Sequence, residues 1–308
     1  MRHRCIEKGV IAASTPEAVE AGIEILRVGG NAIDAAVAVS FALAVTEPAC
    51  SGLGGQGFFM IHPDKGSPFT VNGSSVAPLK IPEKITAKDL AFHRATTVPS
   101  MVRLLEYVWK EWGSGLITWQ RLIEPAIRFA EDGYLLGSFR RLTLMLFVDR
   151  LRKNPVTKDL FLNSGWQVPP LRSIIRQPVL ARTLRRIADR GADDFYEGEI
   201  AREIASDMAQ HDGWITFEDL RTLPKPTTAK ALKGTYRAWD VFTLPPPSGG
   251  WSVLQALNML EKIPPLDFQE NRGKQWVWFA EALRICQKKR RKKPLPIFKD
   301  KEEIIFNK

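Results

Sequence analysis

Apolar and small residues recur at helical spacing in two runs near the start of the chain. Thr15-Pro16-Glu17 opens the first, with Thr15 as cap, Pro16 in the first turn and Glu17 at the positive end of the dipole. Ala18, Val19, Gly22, Ile23 and Leu26 then give one helical face, and Gly29-Gly30 stops it. Asn31 and Asp34 form a capping-box-like start for a second helix, predicted to run to about Val45 and to end at Glu47-Pro48. Phe58–His62 reads as a short buried strand. A turn at Pro63–Gly66 leads to a second strand around Phe69–Val71, so a hairpin is expected. The middle is helical: Val102–Trp112, Trp119–Ala130, Gln177–Arg190, Glu199–Gln210 and a short helix capped at Thr216. A strand is predicted over Tyr236–Thr243 and a helix over about Ser252–Glu261, separated by the proline-rich Leu244–Gly250. Helices followed by a hairpin predict α+β layers rather than a repeating βαβ chain. After Arg284 the pattern is lost. Lys288–Lys293 is a like-charge block followed by Pro294 and Pro296, and an unstructured tail is expected there.

Composition narrows the class without naming a function. The 308 residues, 44% apolar and 25% charged, suit a soluble globular protein with a sizeable core. The longest apolar stretch, Ala32–Val45, is interrupted by Asp34 and Ser40 and falls short of the ~20 residues a membrane span needs. The basic N-terminus lacks a following apolar segment, so no secretory signal is visible and a cytoplasmic location is expected. Cys5, Cys50 and Cys286 are scattered and suggest neither a disulfide framework nor a zinc site. The net charge of +10 is concentrated at one end: Cys286–Lys308 holds nine Lys/Arg against three Asp/Glu, a net of +6, which leaves +4 for the rest. The body alone does not suggest a nucleic-acid partner.

Candidate chemistry is sparse. Gly52-x-Gly54-x-x-Gly57 has the spacing of a dinucleotide fingerprint, but a helix enters it and a strand leaves, the reverse of the order a phosphate cradle needs. A tight turn allowing close backbone packing is the better reading. His3, His62, His93 and His211 lie in no nucleophile setting, and G-x-S-x-G, HExxH and P-loop motifs are absent from the sequence. No cofactor and no metal site are predicted.

The ordered blocks Ala12–Ala18, Gly22–Ala36, Glu47–Phe58, Glu124–Gly133, Asp193–Gly198, Tyr236-Arg237, Leu244–Gly250 and Leu254–Glu261 resemble the large-subunit region of γ-glutamyltranspeptidases (glutathione hydrolases). The resemblance implies an α+β, four-layer αββα N-terminal-nucleophile hydrolase fold, incomplete here because the small-subunit half lies outside the chain. It implies a precursor that cuts itself, a nucleophilic threonine at the new N-terminus of the small subunit, and an α-amino group acting as general base. The catalytic threonine is therefore not expected in this chain. Neither Thr96-Thr97 nor Thr227-Thr228 lies late enough to be it.

Two departures carry information. Ser74, in Val71-Asn-Gly-Ser-Ser-Val-Ala-Pro78, stands where glutamate-binding members place an arginine for the substrate α-carboxylate, so the substrate could be another acyl amide. Ser100 stands where glycine is usual. The likeness stops at Ile285, so residues 1–285 are expected to form the family region and 286–308 a basic, foreign tail. The expected function is the large-subunit part of an amidohydrolase acting on glutathione or another acyl amide, inactive alone, with the small subunit of the same precursor as partner. The alternative is a non-catalytic scaffold whose tail binds nucleic acid or acidic surfaces.

Overall fold

The computed structural model describes residues 5–6, 9–263 and 272–292. In chain order the elements are β1 (Cys5–Ile6), β2 (Gly9–Val10), α1 (Pro16–Arg27), α2 (Ala32–Thr46), β3 (Gly57–Ile61), β4 (Phe69–Gly73), α3 (Met101–Trp112) and α4 (Trp119–Glu131). Next come β5 (Tyr134–Leu135), α5 (Ser138–Lys153), α6 (Pro155–Phe161), β6 (Ile174–Ile175), α7 (Pro178–Arg190), α8 (Asp193–Tyr196), α9 (Glu199–Gln210) and α10 (Phe217–Arg221). The chain continues with β7 (Thr227–Lys230), β8 (Leu232–Tyr236), β9 (Trp239–Thr243), α11 (Gly250–Glu261) and α12 (Arg272–Lys292). Two compact units result: Met1–Gly57 with Gly73–Pro226, and Phe58–Asn72 with Thr227–Lys308.

The first unit is built on α2. Its alanine- and valine-rich sequence is apolar on nearly every side because α1, α3 and α4 all pack on it. The predicted caps form. Thr15 accepts from the Ala18 N–H, and Asn31 and Asp34 close a full capping box. Asp34 is fully buried, and its Oδ2 accepts from the N–H groups of Asn31 (2.9 Å) and Ser114 (3.0 Å). The side-chain amide of Asn31 donates to the Trp112 carbonyl at 2.9 Å, so one helix start is locked to the α3–α4 connection. Phe41 meets Trp119 edge-on at 5.3 Å, and Trp119 Nε1 donates to the Ile187 carbonyl at 3.0 Å, which joins α2, α4 and α7.

The second unit holds a three-stranded sheet of order β3-β4-β7 and the β8–β9 hairpin, against which α11 packs. β4 and β7 are antiparallel, with Val71 opposite Thr228. The chain is thus mixed α and β, and among the described residues no helix is long and apolar enough to cross a membrane.

Several expectations need correction. The strand expected over Tyr236–Thr243 is β9 and starts at Trp239; Tyr236 ends β8 instead and pairs with Trp239 across a tight turn in which Arg237 takes φ +54° and its N–H donates to Glu261. Phe58–His62 is half-buried rather than buried, with Met60 43% exposed. β7 escaped notice because all four of its residues are exposed, so it carries no apolar alternation. α5 escaped because its apolar residues form no stripe, and none of them is buried. Residues 286–292 of the expected unstructured tail are helical. α12 runs to Lys292, anchored by buried Cys286, and its cationic last turn suits the negative end of the helix dipole. Residues 293–308 of that tail lie outside the described residues.

Candidate functional site

The glycine-rich segment after α2 is a folded turn. The N–H groups of Cys50 and Ser51 both return to the Glu47 carbonyl, and Gly55 N–H closes on Gly52 at 3.1 Å. The Gly55 carbonyl accepts from the N–H groups of Ser100 (3.0 Å) and Met101 (3.1 Å), the free donors at the start of α3. That helix end is therefore satisfied by the protein's own backbone and offers no phosphate cradle. Gly57 has a packing role: a Cβ there would lie 3.1 Å from both Leu104 Cδ2 and Met101 Cε. The reading of these glycines as turn and packing residues holds.

The same knot carries Ser74. The chain leaves β4 at Gly73, whose missing side chain admits Leu104; a Cβ would sit 2.6 Å from Leu104 Cδ2. The Ser100 hydroxyl donates to the Gly73 carbonyl at 2.6 Å. Just beyond, Gln56 Oε1 accepts from the Ser75 N–H (2.9 Å) and hydroxyl (3.2 Å), and the Thr97 hydroxyl donates to Ser75 Oγ at 2.9 Å. A bridge between Val76 and Val98 closes the loop. Three sequence-distant segments thus form a shelf that fixes Gly73 and Ser75, the two neighbours of Ser74; Ser74 and Ser75 are half-buried while Gln56 and Thr97 are exposed, and these four side chains are neutral. Further along, the Leu79 N–H donates to Asp219 Oδ1 at 2.5 Å. Burial pushes the Asp219 carboxyl up, but the bonds it accepts from Leu79 and Thr216 outweigh this and hold it below the usual carboxylate range.

Sequence reasoning singled out Ser74 and Ser100 but missed Gln56, Ser75 and Thr97. The available signal was a cluster of short polar residues at the end of a strand and just before a helix. Neither threonine pair is placed as a nucleophile: Thr97 is a donor in this shelf, and Thr227-Thr228 lie within β7.

The Asp193–Gly198 motif serves position rather than chemistry. Tyr196 is fully buried, and its Oη accepts from the Arg103 N–H at 3.1 Å while the Arg103 guanidinium lies 4.4 Å over its ring. Burial pushes the Tyr196 phenol well above its ordinary range. Asp194 pairs with Arg186 at 2.5 and 2.9 Å, and a Cβ on Gly198 would collide with Asp194. These contacts seat α3 and so the shelf at its start. In the second unit, a Cβ on Gly250 would lie 2.3 Å from the Leu244 carbonyl, so only glycine lets α11 begin so close behind the proline-rich loop.

The family profile described as gamma-glutamyltranspeptidase matches residues 18–298, and this chain belongs to that family. The match continues past the boundary drawn at residue 285. The glutathione hydrolase proenzyme of Escherichia coli K12 is 33% identical over 268 residues, which is 83% of this chain and 46% of that protein. The crystal structure of Helicobacter pylori gamma-glutamyltranspeptidase superposes with a TM-score of 0.89 at 31% identity, covering 98% of this chain and 90% of the matched chain. A cephalosporin acylase from Bacillus halodurans gives 0.77 at 29% identity, covering 89% of this chain and 52% of that one. The chain spans about half the length of the curated relatives it matches. These relatives lend no support to a nucleic-acid-binding scaffold.

Proposed function

We propose that this chain is the large-subunit part of an amide-cleaving, acyl-transferring enzyme whose threonine nucleophile lies on a small subunit of the same precursor. The small subunit supplies the remaining strands of a four-layer αββα sandwich. The threonine hydroxyl attacks the amide carbonyl while its α-amino group takes the hydroxyl proton and passes it to the leaving amine. Water or an acceptor amine then resolves the acyl-enzyme, with backbone N–H groups stabilising the oxyanion in both steps.

The observation that carries the substrate reading is the serine at position 74, just beyond the end of β4. A hydroxyl cannot make the bidentate, charge-assisted contact that an arginine makes to an α-carboxylate. The favoured substrates are therefore acyl amides without the α-amino-acid end of a γ-glutamyl group, such as glutaryl- or oxamate-type amides. Glutathione is the poorer candidate. The purified 308-residue chain is expected to show no release of p-nitroaniline from γ-glutamyl- or glutaryl-p-nitroanilide. Turnover by this chain alone would overturn the placement of the nucleophile outside it.

A further inference from the structure

His93 lies 114 residues before Asp207 in sequence, yet it meets Asp207 and His211 on the surface of the first unit. Asp207 and His211 lie one helical turn apart at the end of α9, so they share a face. His93 comes from the short 3-10 turn Phe92–Ala95. Its Nε2 is 3.1 Å from Asp207 Oδ2, and its ring stacks on that of His211 at 4.5 Å and 10°. One ligand atom from each residue falls within 4.8 Å of the others.

We propose that these three side chains bind a divalent transition-metal ion of the zinc class, clamping the Phe92–Ala95 turn onto the end of α9. Two imidazoles and one carboxylate suit zinc, cobalt, nickel or copper rather than calcium or magnesium. In a tetrahedral site with bonds of ~2.0–2.1 Å, adjacent ligand atoms stand ~3.3 Å apart. The His93–Asp207 pair, at 3.1 Å, is close to that separation, and a turn of the His211 ring out of its stack on His93 aims its nitrogen at the same ion. His211 Nδ1 lies 2.9 Å from the Asp207 backbone carbonyl. The same nitrogen stands 3.3 Å from Asp207 Oδ1, so the imidazole already reaches the carboxylate that would share the ion. The cation would also sit at the negative end of the α9 dipole. Water fills the fourth position.

The backbone supports a built arrangement rather than a chance surface pair. Phe92 and Asp212 adopt φ +56° and +55°, a region non-glycine residues rarely enter, and each directly precedes or follows a ligand. The Phe92 ring is 58% exposed, so its burial does not account for the conformation. Arg94 fastens the turn independently, donating to the Asp212 carbonyl (3.2 Å) and to Asp89 Oδ1 (3.0 Å). Gly213 leaves the room: a Cβ there would lie 3.2 Å from His93 Cβ and 2.5 Å from Met208 Sδ.

The test uses the 308-residue chain, stripped with a chelator and titrated with cobalt(II) and then zinc(II). One equivalent of cobalt with the visible bands of a tetrahedral nitrogen–oxygen site, displaced by zinc, is expected. His93→Ala and His211→Ala should each weaken binding by ~10-fold or more, as loss of a metal-supporting group typically does. His62→Ala, which removes a histidine outside the cluster, should leave it unchanged. Zinc should raise the melting temperature of the wild type but not of the double variant, with far-ultraviolet circular dichroism confirming that the metal-free variants remain folded. Retention of the cobalt spectrum in the double variant, or no binding by the wild type above that variant, would overturn the site.

Discussion

The Ser100 hydroxyl donates to the Gly73 carbonyl at 2.6 Å, tying the residue before α3 to the last residue of β4. Both residues are buried, so nothing else nearby replaces the bond when it is lost. Ser100→Ala should therefore destabilise the chain by about 1–2 kcal/mol, read from the urea midpoint. Gly73→Ala acts by overpacking against Leu104 and should cost about 1–3 kcal/mol. Equal midpoints for wild type and both variants would remove this bond from the account of the shelf.

Tyr196→Phe keeps the buried ring under Arg103 but leaves the Arg103 N–H without its acceptor. A loss of about 1 kcal/mol is expected. Tyr196→Ala should cost more, about 3–5 kcal/mol, because it also opens a cavity. The ratio of the two separates the hydrogen bond from the packing.

Acid should weaken the segment between the shelf and α3. Bonds from the Thr86 hydroxyl and N–H, then from Arg94, hold the Asp89 carboxyl down to about 2. Asp219 is also held below the usual range. A carboxyl whose folded pKa is depressed adds stability above its unfolded value, about 3.9, and loses it as pH falls toward the folded value. Asp89→Asn and Asp219→Asn should melt lower than wild type at pH 6, and the gap should close between about pH 4 and pH 2. A constant gap across that range would show that the charge is not what matters.

Ser74→Arg restores a guanidinium at the shelf. Isothermal titration with L-glutamate should detect saturable binding by the variant and none by the wild type. Glutamate binding by the wild type would reopen γ-glutamyl specificity.

Local chemistry was legible where the chain announces it. Thr15, Asn31 with Asp34, and Thr216 all cap the helices they were expected to cap, because an N-cap depends on a few adjacent residues. Long-range relations were not legible. Nothing in the spacing of Gln56, Ser75 and Thr97 says that they meet, and the same holds for His93 and His211. α5 and β7 were missed because neither buries an apolar face among the described residues, and periodicity is informative only where burial selects it. Ser74 was found by resemblance, while the bonds that fix its neighbours Gly73 and Ser75 came from the fold.

Thr15 opens α1 and Thr46 closes α2, and their hydroxyls are hydrogen-bonded at 2.9 Å across a separation of 31 residues. The two helices are thus pinned at the end opposite their connecting turn. Contacts so near in sequence carry a small loop-closure cost and are the kind that form fastest. The opening stretch of the chain is a local seed, able to order before residues from the other segments arrive. Every later helix of the first unit that packs on α2 then condenses on a surface that already exists.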